Sequence, residues 1–450
     1  MSSRLQPVDR RPSASRVPVA GVLTLSLAGG LIAASLVAAP APDNLRLTAD
    51  RLPNFEASAA DTDEYTKDDA LIWRREHGQK YRRAVRSTRL SGEERRELEI
   101  GLAHHRRMFT LPSAAPNIPE VAGDVTKDID QFAEGQAKEV MLEVYATELL
   151  TLLYHKELLV RINAIHTLGA LNQEPGAAIG GSPPKPYWQT YRALLSVIED
   201  PNRTAAEKVR AADGLARIVR YSDIPRRDRD VIIKRASAEM AVAADPANWP
   251  ERPSERKDYW FWPYKLAAML GSLDAPMTLN REPLPVAALA EVAADRRQHW
   301  RVRTQALRSI SELRLEDEGR FNLAAVARLT NAVAAEMVEA YNRDPTPSYW
   351  RRAFFDVYFA FKPPTQTQFE RGEGLLAKVG INTFRGDAAA VEAAFGPLEA
   401  VMVEFSPIPP GKATKISDGA VTALKTFAAE NPPSDPIHPD IAVVSLAQSE

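Results

Sequence analysis

Residues 160–171 read V-R-I-N-A-I-H-T-L-G-A-L. Arg161 is followed by Ala164, Leu168 and Leu171, a spacing that draws one apolar stripe, headed by a base, along a helix of 3.6 residues per turn. The skeleton returns at Lys208, Ala211, Leu215 and Ile218, and again at Arg303, Ala306, Ile310 and Leu313. Looser echoes put Leu266, Leu270 and Leu273 behind Pro263, and Phe354, Tyr358 and Phe361 behind Arg351. The anchors stand about 40 to 55 residues apart, the length of one helix pair with its turns. A single hairpin cannot bury such a stripe, so the pattern predicts an all-α fold in which each pair stacks on the next around one continuous core.

Each anchor helix has a helical partner ahead of it. The stretch 138–155 precedes Val160, and Tyr187–Glu199 precedes Ala205–Tyr221. Asp228–Ala244 goes with Trp260–Leu273, Val286–Ala294 with His299–Arg314, and Asn322–Tyr341 with Ser348–Phe361. Five hairpins then occupy residues 137–362, interrupted by the Gly- and Pro-rich loop 172–186 and by Asp245–Arg256. Residues 70–136 read as an N-terminal helical segment, in which Ser91-Gly92-Glu93-Glu94 is a capping box opening a helix to about Met108. Residues 363–430 hold helical pieces separated by prolines and read as a C-terminal cap. A Pro-rich tail fills 431–450.

The N-terminus carries a different signal. Arg4, Arg10, Arg11 and Arg16 oppose one acid, Asp9, in residues 1–16, and residues 17–39 carry no charge. As a helix that stretch would rise roughly 35 Å, enough to cross a bilayer. A cleaved signal peptide and an uncleaved transmembrane anchor both fit, with Val37-Ala38-Ala39 as a small-residue site followed by Pro40. Arg10-Arg11 hints at a twin-arginine signal, and an organelle transit peptide is a further option. In either export reading the basic flank stays in the cytoplasm and the bulk of the chain lies outside, with a bacterial periplasm or cell envelope favoured. Residues 40–69 form an acidic linker ahead of the folded part.

Composition removes several chemistries. The chain of 450 residues has no cysteine, which excludes disulfides, thiolate nucleophiles and Cys-ligated metal centres. With 57 basic and 59 acidic residues the net charge is -2, so global attraction to nucleic acid is not expected. A basic helix from Arg74 to Arg89 reads as an exposed face. His77, His104, His105, His155, His166, His299 and His438 form no compact ligand pattern. Gly372-Glu373-Gly374-Leu375-Leu376-Ala377 fits a loose dinucleotide-loop pattern but follows no strand signal. No catalytic, cofactor-binding or metal-ligating residue is assigned, and no cofactor is expected.

The stretch Val160–Leu171 resembles the second helix of HEAT and armadillo repeats, which often reads V-R-x-x-A-x-x-x-L-G-x-L. The Lys208 and Arg303 copies keep the base, alanine and aliphatic positions, and the resemblance covers about Lys138 to Phe361. It implies an α-solenoid that holds another macromolecule, with no catalytic residue to carry over. The expected function is therefore a non-enzymatic, envelope-located scaffold for a protein partner. Aromatic residues at the starts of repeat helices, namely Tyr259, Trp260, Trp262, Trp300 and Trp350, are the candidate protein-binding residues, because flat rings with a polar handle suit interface hot spots. The partner is expected to be a protein and not a nucleic acid. Membrane contact would run through residues 17–39 if they are uncleaved, and a polysaccharide ligand is also open. Two other readings remain: an α/α-toroid carbohydrate-active enzyme, which requires paired carboxylates in a cleft, and a structural component of an envelope complex without its own ligand.

Overall fold

A computed structural model describes residues 65–111, 118–176, 181–317, 320–409, 411–444 and 446. The basic flank, the uncharged stretch 17–39 and nearly all of the acidic linker lie outside them. In chain order the elements are α1 (Lys67–Glu76), α2 (Gly78–Val85), α3 (Gly92–Thr110), α4 (Ile118–Gln131), α5 (Gly135–Leu152) and α6 (Leu158–Ala170). Two short strands follow, β1 (Asn172–Glu174) and β2 (Lys185–Pro186), then α7 (Tyr191–Glu199), α8 (Ala205–Tyr221), α9 (Arg226–Ala244), α10 (Pro253–Tyr259) and α11 (Phe261–Gly271). The chain continues with α12 (Leu284–Ala294), α13 (Trp300–Glu312), α14 (Leu323–Arg343) and α15 (Trp350–Phe361). Last come α16 (Gln366–Glu370), α17 (Leu375–Lys378), α18 (Ala388–Phe405) and α19 (Asp418–Glu430). The fold is all-α. β1 and β2 pair antiparallel inside the loop read from sequence as irregular.

Helix α5 packs on α6, α7 on α8, α9 on α11, α12 on α13 and α14 on α15. The second members of these pairs also pack on one another in succession: α6 on α8, α8 on α11, α11 on α13, and α13 on α15. Their facing stripes are closed to solvent, as Ala164, Leu168, Ala211, Leu215, Leu266, Leu270, Ala306, Ile310, Phe354 and Phe361 are all buried. Fully burying a large aliphatic or aromatic side chain is worth about 1.5–3 kcal/mol, so the contacts between pairs hold much of the fold's free energy.

The tightest step joins α6 to α8. A Cβ on Gly169 would stand 2.7 Å from the Gly214 Cα, and one on Gly214 would stand 2.9 Å from the Gly169 Cα. Two glycines therefore let the two backbones touch. A turn or more away, Arg161 of α6 donates from Nε to Glu207 Oε1 (2.7 Å) and from Nη1 to the carbonyls of His155 (2.8 Å) and Lys156 (3.1 Å). Glu207 also closes the capping box of α8 by accepting from the Thr204 backbone N–H (3.0 Å) and hydroxyl (2.8 Å), and it accepts from Arg203 Nη1 (3.1 Å). Its side chain is 0% exposed, so one carboxylate joins the start of α8 to the preceding pair.

Prolines were expected to break the chain after Phe361, yet α18 runs through Pro397. A proline inside a helix removes one ladder bond and pushes its ring at the carbonyl one turn back. In that turn the Ala394 carbonyl accepts from the fully buried Asn331 amide of α14 (2.7 Å), and α18 is held between α14 and α19. Tertiary contacts thus outweigh the local signal. Ahead of α18, the segment carrying α16 and α17 folds back on the ends of earlier helices. The Gly374 N–H donates to the Ser311 carbonyl (3.0 Å), Arg220 pairs with Glu373 (2.8 Å), and the buried Lys378 pairs with Glu316 (3.2 Å).

Burial alone would raise the Glu207 carboxyl, but the hydrogen bonds from Arg161, Thr204 and Arg203 outweigh it and hold the group at about 2. A carboxyl lowered in the fold stabilises fully above its unfolded value, and that stability is lost as pH falls toward 2. Glu207→Ala, which strands Arg161 and Arg203, is expected to cost roughly 3 kcal/mol in urea unfolding at neutral pH. The difference from the parent chain should shrink when unfolding is repeated between about pH 5 and pH 3.

Candidate binding surface

The five aromatic residues singled out by sequence divide into two groups. Trp262 is 1% exposed and Trp350 is 3% exposed. Both are core residues: Lys208 Nζ lies 5.6 Å from the Trp262 ring, and Trp350 Nε1 donates to the Asp344 carbonyl (2.8 Å). Neither presents a face to a partner. Tyr259, Trp260 and Trp300 are half-buried and packed against the core edge. Burial pushes the Tyr259 hydroxyl up to about 12, so it stays protonated.

Trp260 opens onto a group that sequence reading did not assemble. Its ring stacks on His299 at 4.6 Å and 18°, and His299 meets the Tyr349 ring edge-on at 4.6 Å. His299 also caps α13, accepting from the Arg301 N–H (3.2 Å). Burial, with Arg301 adding to it, drives the imidazole down to about 4, so it is a neutral stacking plate at ordinary pH. The Arg301 guanidinium carbon lies 5.1 Å from the Trp260 centroid and 4.5 Å from that of Tyr264.

Contacts of the same kind cross to the neighbouring second helices on either side. Toward α8, Tyr264 stacks on Phe261 (6.0 Å, 20°), Lys265 lies 5.7 Å from the Phe261 centroid, and Lys265 bonds Asp213 of α8 (2.8 Å). Toward α15, Arg308 bonds Glu312 (2.8 Å) and Asp356 (3.1 Å), and its guanidinium lies 5.4 Å from the Phe359 centroid. Phe359 stacks on Phe355 (5.6 Å), over which Arg351 sits at 5.4 Å. Asp356 is 0% exposed and is held by Arg352 as well (3.0 Å). Its carboxyl is raised by burial, which outweighs the pull of Arg352 and Arg308. The result is one band of alternating rings and cations along the second helices.

Helical spacing carried a signal for this band. Phe261 and Lys265 are i,i+4, Arg301 and Arg308 are i,i+7, and Arg351, Phe355 and Phe359 are i,i+4,i+8, so each set shares one helix face. A count of tryptophans hides it, because two of the most conspicuous ones serve the core.

A separate concavity lies between α1 and α3. A groove of about 590 Å³ is lined by Tyr65, Ile72, Trp73, His77, His104 and Arg107, among others. The Tyr65 hydroxyl hydrogen-bonds with His104 Nδ1, and His104 stacks on Trp73 at 3.8 Å and 7°. Burial, reinforced by neighbouring cations, takes His104 down to about 3, while burial takes Tyr65 up to about 12. Neither group is poised to move protons near neutrality. Among the described residues no group of His, Asp and Glu is arranged to hold a metal ion. The glycine pattern at 372–377 forms the turn into α17, with Gly372 and Gly374 at φ of 78° and 85°, and no strand leads into it.

Comparison with protein-family models, with curated proteins and with solved structures found no match.

Two substitutions separate the roles of the band's arginines. Arg308→Ala leaves Asp356 buried with only the half-exposed Arg352, and is expected to cost roughly 3–5 kcal/mol in urea unfolding. Arg301→Ala removes cation–ring contacts and only a longer-range attraction to Asp356, and is expected to cost about 1 kcal/mol, well short of Arg308→Ala.

Proposed function

We propose that this chain is a binding scaffold, an α-solenoid of HEAT-like pairs whose second helices present the aromatic–cation band to a protein partner. The observation that carries the reading is the recurrence of rings and cations on successive second helices, from Lys265 on α11, bonded to Asp213 of α8, through Arg301 and Arg308 on α13 to Arg351 on α15. A globular enzyme gathers its chemistry at one concave point, whereas this set of side chains is strung across four successive second helices, α8, α11, α13 and α15. Arginine and aromatic residues are also the types enriched at interface hot spots. We further propose that the partner is met on the extracytoplasmic side, delivered there by the uncharged stretch 17–39 behind its arginine-rich flank.

Site-specific photocrosslinking tests the reading in cells. A photoreactive residue at position 261 or 355, on the band, is expected to trap one defined protein. The same residue at position 242, exposed on α9, is expected to trap none. Adducts from position 242 with none from 261 or 355 would overturn the assignment of the surface.

A further inference from the structure

The band is not electrically balanced. Lys265 is matched by Asp213, while Arg308 and Arg352 share Asp356 and Glu312. Arg301, by contrast, forms no ion pair among the described residues and acts on Asp356, already shared by Arg308 and Arg352, only from a distance; its Nε is buried without a hydrogen-bond partner. Arg210, exposed one turn before Asp213 on α8, likewise has no ion pair among them. Arg351 donates to the Ile408 carbonyl (3.0 Å), an acceptor that leaves its charge uncompensated. The chain as a whole carries -2, so this local surplus is not inherited from its composition.

The arrangement of rings narrows the ligand. A cation already lies against each of Phe261, Tyr264, Phe355 and Phe359, within 6 Å of the ring centre. A ring face occupied in this way is closed to a base, which reduces the stacking that single-stranded nucleic acid draws on at aromatic surfaces. What the band offers is guanidinium N–H groups, whose planar fork matches a carboxylate, with apolar ring edges between them. Packed helices lie about 8–10 Å apart, and an extended chain advances about 3.3 Å per residue. One helix step therefore corresponds to about three residues of an extended peptide.

We propose that the band binds an extended acidic peptide whose Asp or Glu side chains are taken by Arg210, by Arg301 two helix steps and about six residues further on, and by Arg351 one step and about three residues beyond that, with apolar side chains against the ring edges between. The proposal rests on the reading of this band as a docking surface and specifies the chemistry of what docks.

The test uses the full chain and fluorescence anisotropy. The probe is a labelled peptide of about fifteen residues with Glu at every third position and Leu and Gly between. A peptide with Lys for every Glu and a thymidine oligonucleotide of equal formal charge serve as comparisons. The acidic peptide is expected to bind with an affinity that falls as salt is raised. It should bind at least about tenfold more weakly to the Arg210→Ala/Arg301→Ala variant, a change of about 1.4 kcal/mol, with the variant's urea curve showing that it is folded. The Lys peptide and the oligonucleotide should bind at least about tenfold more weakly than the acidic peptide. Undiminished binding by the double variant, equal or tighter binding of the oligonucleotide, or no binding of the acidic peptide would each overturn the proposal. If the acidic peptide fails while positions 261 and 355 still crosslink a protein, the acidic assignment falls and the scaffold reading stands. If both fail, the docking surface itself is wrong.

Discussion

Everything in this fold depends on one constraint: the apolar stripe of each second helix is wider than its own hairpin partner can cover. The remainder is buried only when α6, α8, α11, α13 and α15 lie side by side. The spacing of the contacts follows from that. Arg161 reaches Glu207 across 46 residues, Lys265 reaches Asp213 across 52, and Arg308 reaches Asp356 across 48. These separations fall within the range of about 40 to 55 residues at which the stripe recurs in the sequence. Side-by-side packing also dictates that residues at equivalent helix positions become neighbours in space, which is how a band of rings and cations can cross several pairs without being contiguous in the chain.

The steps are held by different means. Between α6 and α8 the glycines Gly169 and Gly214 let the backbones touch, and Glu207 ties the helix start to the pair before it. Between α11 and α13, Gly271 faces Ser309 closely, and stacked rings take over at the other end. Between α13 and α15 a fully buried aspartate is shared by two arginines. Breaking a buried ion pair is costly even where its net stabilisation is small, so such pairs resist local change and help fix which residues face which. The band's cations stand on this packed base, the kind of ordered support that the proposed docking surface would need before a ligand arrives.

Much of the fold class was legible because it rests on periodicity, the strongest signal a sequence carries. Arg161, Ala164, Leu168 and Leu171 announce a helix stripe whatever surrounds them. The C-terminal part was less legible because Pro397 reads as a break, and only the packing of α14 and α19 around α18 and the amide of Asn331 overrule it. The proposed surface was legible only in its residue types. Trp260 was found by composition, but Arg301, Phe355 and Phe359 join it only when distant helices are brought together, and Trp262 and Trp350 were drawn to the core by the area that an indole buries. Sequence supplies the types of residue in the band, and tertiary contact decides which of them meet.

The side-by-side order of the second helices is the claim on which the rest stands, and the absence of cysteine makes it directly measurable. Cysteine pairs placed at Asp213 and Lys265, and separately at Arg308 and Phe359, can be offered a bis-maleimide of about 10 Å span, the spacing of packed helices. Proteolysis and mass spectrometry then report intramolecular bridges. Both neighbouring pairs are expected to be bridged in high yield, and a mixed pair at Asp213 and Phe359 is expected to remain open. Bridging of the mixed pair, or failure of either neighbouring pair in a folded variant, would contradict the arrangement.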